Sequence, residues 1–191
     1  MLNKNSFRYS AAIEALIEKH ANEGSDSMWS VWRERQVNRN AYGGNYSFVL
    51  GRTADKDEPF YLNFESAFEG FAAHAPYTLV TGMTGSGKSS FLRNLILDIA
   101  ITNTPDLAAI KVFDPNGGWA FESLKGLHRM RVETNIETAK SYLDGITKSI
   151  EAHERLFETL GVKTLEECNK VLGLKKRLLR TFVIIDEVAV W

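Results

Sequence analysis

Residues 77–90, Tyr-Thr-Leu-Val-Thr-Gly-Met-Thr-Gly-Ser-Gly-Lys-Ser-Ser, restrict what this chain can fold into more than any other stretch. Gly82, Gly87, Lys88 and Ser89 satisfy G-x-x-x-x-G-K-[ST], a phosphate-binding loop. The spacing follows from chemistry. A polyphosphate needs many donors at short range, and only a loop nearly free of Cβ atoms can wrap its N–H groups around one. A helix opening at Gly87 adds unpaired first-turn amides and the positive end of its dipole. The candidate nucleotide-binding set is therefore Gly82, Met83, Thr84, Gly85, Ser86, Gly87, Lys88, Ser89 and Ser90. Lys88 reaches the β- and γ-phosphates of ATP, and the Ser89 hydroxyl binds Mg²⁺.

The context agrees with the motif. The β-favouring run before Gly82 predicts a short strand, and Phe91, Leu92, Leu95, Ile96 and Ile99 predict a helix with one apolar face after it. Strand, glycine-rich loop and helix together imply an α/β fold: a P-loop NTPase with a mainly parallel sheet and flanking helices.

A second constellation lies near the end of the chain. Phe182-Val183-Ile184-Ile185 is a continuous apolar run, suited to a parallel strand covered on both faces, and it ends in Asp186-Glu187. Ligands of open α/β sheets bind at the carboxyl ends of strands, which brings these acids to the phosphate end. Asp186 is expected to hold the Mg²⁺ shell through water, and Glu187 to orient or deprotonate the water that attacks the γ-phosphate. The expected catalytic pair is thus Lys88 and Glu187.

Whole-chain properties exclude several classes. The net charge of −1 over 191 residues carries neither the basic excess of a general nucleic-acid binder nor the acidic excess of a disordered tail. Cys168 is the single cysteine, so no disulfide forms within one chain; it reads as a small, partly buried apolar residue. No run approaches the roughly 18 apolar residues of a membrane span, and the first residues lack a secretory h-region. The reducing cytoplasm fits best, with any membrane association made through a partner or a further segment.

In order along the chain, Ala11, Ile13, Leu16, Ile17 and His20 predict an amphipathic helix over residues 7–21. Residues 28–38 interleave Trp29 and Trp32 with Arg33 and Arg35, and Arg39 follows; a docked surface helix is the plain reading, stacking on nucleic acid the other. Residues 38–45, with Gly43-Gly44, read as a linker, giving a helical leader over 1–44 and an ATPase domain over 45–191. Residues 46–51 and 60–64 predict a β-hairpin around a polar loop. A turn over 102–106, a strand over 108–113 and a short helical piece over 119–124 follow.

Thr134 and Glu137 form a capping-box pattern ahead of the longest helix. Its face holds Ala139, Tyr142, Leu143, Ile146, Ile150, His153, Phe157 and Leu160, and Gly161 closes it; His153 reads as a packed histidine. Thr164 and Glu167 cap a shorter helix to residue 172. Lys175, Lys176, Arg177 and Arg180 cluster before the last strand, as a solvated face or as a phosphate contact.

Residues 84–89, then Phe113-Asp114-Pro115, Gly126-Leu127-His128, the stretch 161–169 and Val183-Ile184-Ile185-Asp186-Glu187 together resemble the FtsK/SpoIIIE motor domain of the HerA–FtsK group. The resemblance implies an ATP-driven motor working as a ring, usually a hexamer, that threads double-stranded DNA. Relatives within the group that move polypeptide in secretion give the alternative function, and a remnant that holds nucleotide without turnover gives another. Asn116 stands where the family usually has lysine, and Ala152 and His153 stand where it commonly has an arginine pair. Motors of this kind carry a further core strand with a sensor residue, and an arginine finger, beyond the second motif. The resemblance therefore implies that these residues are a truncated product, a domain fragment or one half of a split motor.

Overall fold

The computed structural model describes residues 30–32, 46–56, 59–64, 74–127 and 130–188. The helix expected over residues 7–21 and the linker over 38–45 lie outside them. Of the aromatic–arginine stretch, residues 30–32 are helical, with Val31 and Trp32 buried as a docked helix requires. The chain divides into two compact units, Met1–Thr104 with Gly126–His128, and Pro105–Lys125 with Arg129–Trp191.

In the first unit, β1 (Ser47–Arg52) and β2 (Pro59–Asn63) form the expected antiparallel hairpin. Its register slips once: Val49 faces Tyr61 but Gly51 faces Phe60, so Leu50 is an extra residue in a bulge. The Val49 N–H beside that bulge donates to Asp98 Oδ2 at 2.7 Å. Asp98 belongs to α1 (Lys88–Thr102), the helix that follows the phosphate loop. The expected apolar face is only part of the truth. Ile96 and Ile99 are buried, but so is every residue from 96 to 102, Asp98 included. A buried carboxylate is costly without hydrogen bonds, and the bulged strand supplies one.

The short strand expected just before Gly82 does not form. Residues 77–83 join no ladder among the described residues, and Tyr77 and Leu79 are 82% and 78% exposed. β-propensity is a preference for a pleated, half-buried surface, and here no neighbouring strand provides one.

The second unit is a three-stranded parallel sheet in the order β4-β3-β5, flanked by helices. The strands are β3 (Ala108–Phe113), β4 (Met130–Glu133) and β5 (Arg180–Ile185). Central β3 is buried almost throughout, as its apolar run predicts. β4 was not foreseen, because Met-Arg-Val-Glu is short and carries two charges. The expectation that the run ending at Ile185 is covered on both faces is corrected: in β5 only Ile184 is buried.

The long helix α2 (Ile136–Leu160) has 25 residues, about 37 Å. Its N-cap is Asn135, whose side chain accepts from the Thr138 N–H at 2.9 Å, and not the expected Thr134. Glu137 pairs instead with Lys140. Gly161 closes the helix at φ 65°, a left-handed position that suits glycine. Although strongly two-sided, α2 buries only Ala139. A cleft of about 840 Å³ is lined by its Tyr142, Ile146 and Phe157 together with Lys111 and Phe113 of β3. His153 lines it half-buried, and among the described residues no group of three His, Cys, Asp or Glu is placed to hold a metal ion. Helix α3 (Leu165–Leu172) is capped by Thr164, which accepts from Glu167 N–H, while Glu167 accepts from Lys163 N–H. Cys168 in its middle is buried outright.

Candidate nucleotide-binding and hydrolysis site

The phosphate-loop residues belong to the first unit. Gly82, Met83, Thr84, Gly85, Ser86 and Gly87 are exposed, Lys88 and Ser89 half-buried, and Ser90 exposed. Gly85 and Gly87 hold φ of 83° and 92°, where a Cβ is disfavoured, and Gly87 is the N-cap of α1. The loop closes on itself: Ser86 N–H donates to Met83 O at 3.1 Å. A Cβ at Gly82 would lie 2.5 Å from Ser86 Oγ. Lys88 Nζ donates to Gly82 O at 2.7 Å and to Met83 O at 3.0 Å. The ammonium thus spans its own loop and holds its head over the glycine-rich turn. Ser90 Oγ accepts from Arg93.

The acids belong to the second unit. Phe113 of β3 pairs with Ile185 of β5 and with Glu133 of β4, so all three strands end together. The Asp186 N–H donates to Phe113 O at 2.9 Å, and the Asp114 N–H to Glu133 O at 3.0 Å. Asp114, Asp186 and Glu187 therefore leave one end of the sheet. Asp186 is half-buried and Glu187 exposed. Glu187 has φ 52°, the single non-glycine residue with positive φ among the described residues. Such a backbone costs about 1–2 kcal/mol. Asp186 Oδ1 accepts the Glu187 N–H at 3.1 Å, which helps to hold it. Strain of this kind gathers at functional positions.

Two features of this end escaped the residue-by-residue reading. Asp114 is buried and accepts the Asn116 N–H at 2.9 Å, fixing the turn after β3. That turn runs through Gly117 and Gly118, both at positive φ, and presents Trp119 with 81% of its surface exposed. The Asp-Pro-Asn-Gly-Gly run was the available signal. The basic cluster before β5 resolves into two ion pairs, Arg177 with Asp106 and Arg180 with Glu166, and two exposed lysines, Lys175 and Lys176.

Residues 39–188 match the model of the FtsK/SpoIIIE family, so one family spans both units. The chain belongs to the FtsK/SpoIIIE family. Among curated FtsK/SpoIIIE-type relatives, the ESX secretion system protein YukB of Bacillus subtilis is 32% identical over 142 residues, covering 70% of this chain and 9% of that protein. The ESX-5 secretion system protein EccC5 of Mycobacterium tuberculosis is 26% identical over 187 residues, covering 92% of this chain and 13% of its own length. The type VII secretion system protein EssC of Staphylococcus aureus is 31% identical over 140 residues, with 70% and 9% covered. Among solved structures, the cytoplasmic domain of the Thermomonospora curvata type VII secretion ATPase EccC matches with a TM-score of 0.59 at 26% identity. That match covers 75% of this chain and 17% of the other.

This chain thus spans about a tenth of the curated relatives it matches. Their names also correct one expectation. Double-stranded DNA, and with it the ring threaded on DNA, is set aside as the partner, because these relatives are secretion-system proteins. No helix among the described residues is long and apolar enough to cross a membrane.

Proposed function

We propose that this chain is an ATP-binding and ATP-hydrolysing module of a secretion-type motor acting in the cytoplasm, with polypeptide as its cargo. The observation that carries the reading is the phosphate-loop motif at Gly82–Ser89 in a chain whose relatives are named as secretion-system proteins. Residues 82–90 wrap the triphosphate with main-chain N–H groups. Lys88 leaves the Gly82 and Met83 carbonyls for the β- and γ-phosphate oxygens, exchanging two neutral acceptors for charged ones.

Glu187 orients the attacking water and accepts its proton. The water oxygen forms the new bond to the γ-phosphorus. The bond from that phosphorus to the β–γ bridging oxygen breaks, and ADP leaves with the electron pair. Ser89 and, through water, Asp186 would hold Mg²⁺; a hydroxyl and a carboxylate are the oxygen donors that ion prefers. When bound, the ion neutralises charge on the β- and γ-phosphate oxygens.

The test is ATP turnover by the full protein that carries this chain, with and without its secreted polypeptides, beside the Lys88→Ala variant. Turnover that polypeptide stimulates and the variant lacks supports the reading. Binding of nucleotide with no hydrolysis under either condition makes the chain a nucleotide-holding module, and no binding at all removes the proposal.

A further inference from the structure

Asn169 lies in α3, which residues 173–179 join to β5. Its side chain makes two hydrogen bonds to one residue. Nδ2 donates to Leu178 O at 2.9 Å, and Oδ1 accepts the Leu178 N–H at 2.7 Å. A primary amide that takes both main-chain groups of one residue stands in for a neighbouring strand. Leu178 is two residues before β5, so the amide grips the chain just ahead of the parallel ladder. From there the ladder runs on without irregularity: Arg180 N–H donates to Leu107 O, Ala108 pairs with Arg180, Phe113 with Ile185, and Asp186 N–H closes on Phe113 O.

We propose that Asn169 is a positioning residue for hydrolysis: it sets the register of β5 and so the placement of Asp186 and Glu187 at the strand's far end. This rests on the catalytic reading of those acids given above. The physical reason is the period of two in a strand. A slip of one residue turns every side chain of β5 to the other face and displaces Asp186, the residue that follows it. Burial fixes the register of β5 only in part: Arg180 and Phe182 are half-buried and Ile184 is buried, against exposed Thr181 and Val183, so the grip of the amide adds to a shallow alternation. The segment between the two partners is exposed at Lys170, Val171 and residues 173–176, and Arg177 pairs with Asp106. Arg180 with Glu166 adds an ion pair at the same root, but Glu166 is half exposed and such pairs contribute little.

Three versions of the full protein test this: wild type, Asn169→Asp and Asn169→Leu. Asn169→Asp keeps the acceptor for the Leu178 N–H and loses the donor to its carbonyl; Asn169→Leu loses both. The measurements are kcat per folded molecule, Kd for ATP, and hydrogen exchange at the Leu178 and Asp186 amides. The expected order is a kcat loss of about tenfold for Asn169→Asp and about a hundredfold for Asn169→Leu, since small misplacements of reacting groups are that costly. Kd for ATP stays unchanged, and protection falls at both amides while α2 keeps its own. A role confined to stability would lower the melting temperature and leave kcat per folded molecule and the Asp186 amide as they were, and that result overturns the proposal.

If Asn169→Leu fails to fold, Asn169→Asp alone decides. If wild type binds ATP without hydrolysing it, the exchange data decide: retained protection at Asp186 in the variants overturns register control. Failure of wild type to bind ATP would instead strike the functional reading, and the two failures are distinguishable.

Discussion

The phosphate loop and the acid-bearing end of β5 reach their geometry by opposite routes. Among the described residues, the hydrogen bonds that shape the loop are short-range: Ser86 N–H on Met83 O, Lys88 Nζ on Gly82 O and Met83 O, and Phe91 N–H on Gly87 O, with two glycines at positive φ. At β5 the acids are placed by groups far away in sequence: Phe113 through the Asp186 N–H, and Asn169 through Leu178. The first arrangement is local and survives changes elsewhere. The second is only as good as its ladder. Nucleotide grip and turnover should therefore respond to different mutations.

The sharpest way to break that comparison is Lys88→Ala. ATP turnover should fall roughly 10³-fold, the scale of losing a charged donor from a phosphoryl-transfer site. The melting curve should stay where it is, because among the described residues the ammonium bonds the carbonyls of its own loop. Glu187→Gln comes next. Turnover should drop by roughly 10²-fold, the lower range for a general base, while ATP affinity measured by titration calorimetry is retained. Equal losses of affinity in both variants would erase the distinction between the two regions.

A smaller effect sharpens the local claim. Asp98→Ala removes the acceptor for the Val49 N–H and leaves a buried donor, which costs about 2 kcal/mol in denaturant unfolding. ATP affinity per folded molecule should nonetheless hold, since the loop needs α1 chiefly for its first turn. Loss of affinity in parallel with stability would show that the hairpin, through Asp98, also shapes the loop. Smallest is the cap of α2. Asn135→Ala should cost about 1 kcal/mol, and Thr134→Ala a few tenths, in the same unfolding assay. The reverse order would restore the capping box read from Thr134 and Glu137.

How far the fold was legible follows the same division. The hairpin, β3, the short helical piece over residues 119–124, α2, α3 and the glycine-rich loop could be read directly, because each carries its own periodicity, cap or glycine pattern. Thr164 with Glu167 shows such a signal at work, with the carboxylate shifted by one residue onto the Lys163 N–H. β4 was illegible, since four residues with two charges become a strand only beside β3. Tyr77, Leu79 and Val80 have the composition of a strand, yet those residues join no ladder. Of the candidate site, the glycine-rich turn was readable from its spacing, with Gly85 and Gly87 at positive φ. Asn169 was not, because an asparagine in a helix says nothing of what it bonds nine residues later.

What this sequence determined alone was short-range: the glycine pattern of the loop, the course of the helices to within a residue or so, and the family the motifs belong to. Those features depend on hydrogen bonds and backbone preferences spanning a few residues. Tertiary structure decided the rest: the burial of Asp98 against a bulge, the third strand of the sheet, the Asp186 N–H on Phe113 O and the bracing of β5 by Asn169. Each needs groups from distant parts of the chain to meet. A main-chain group acquires its partner, and a side chain its burial, only once those parts are packed together.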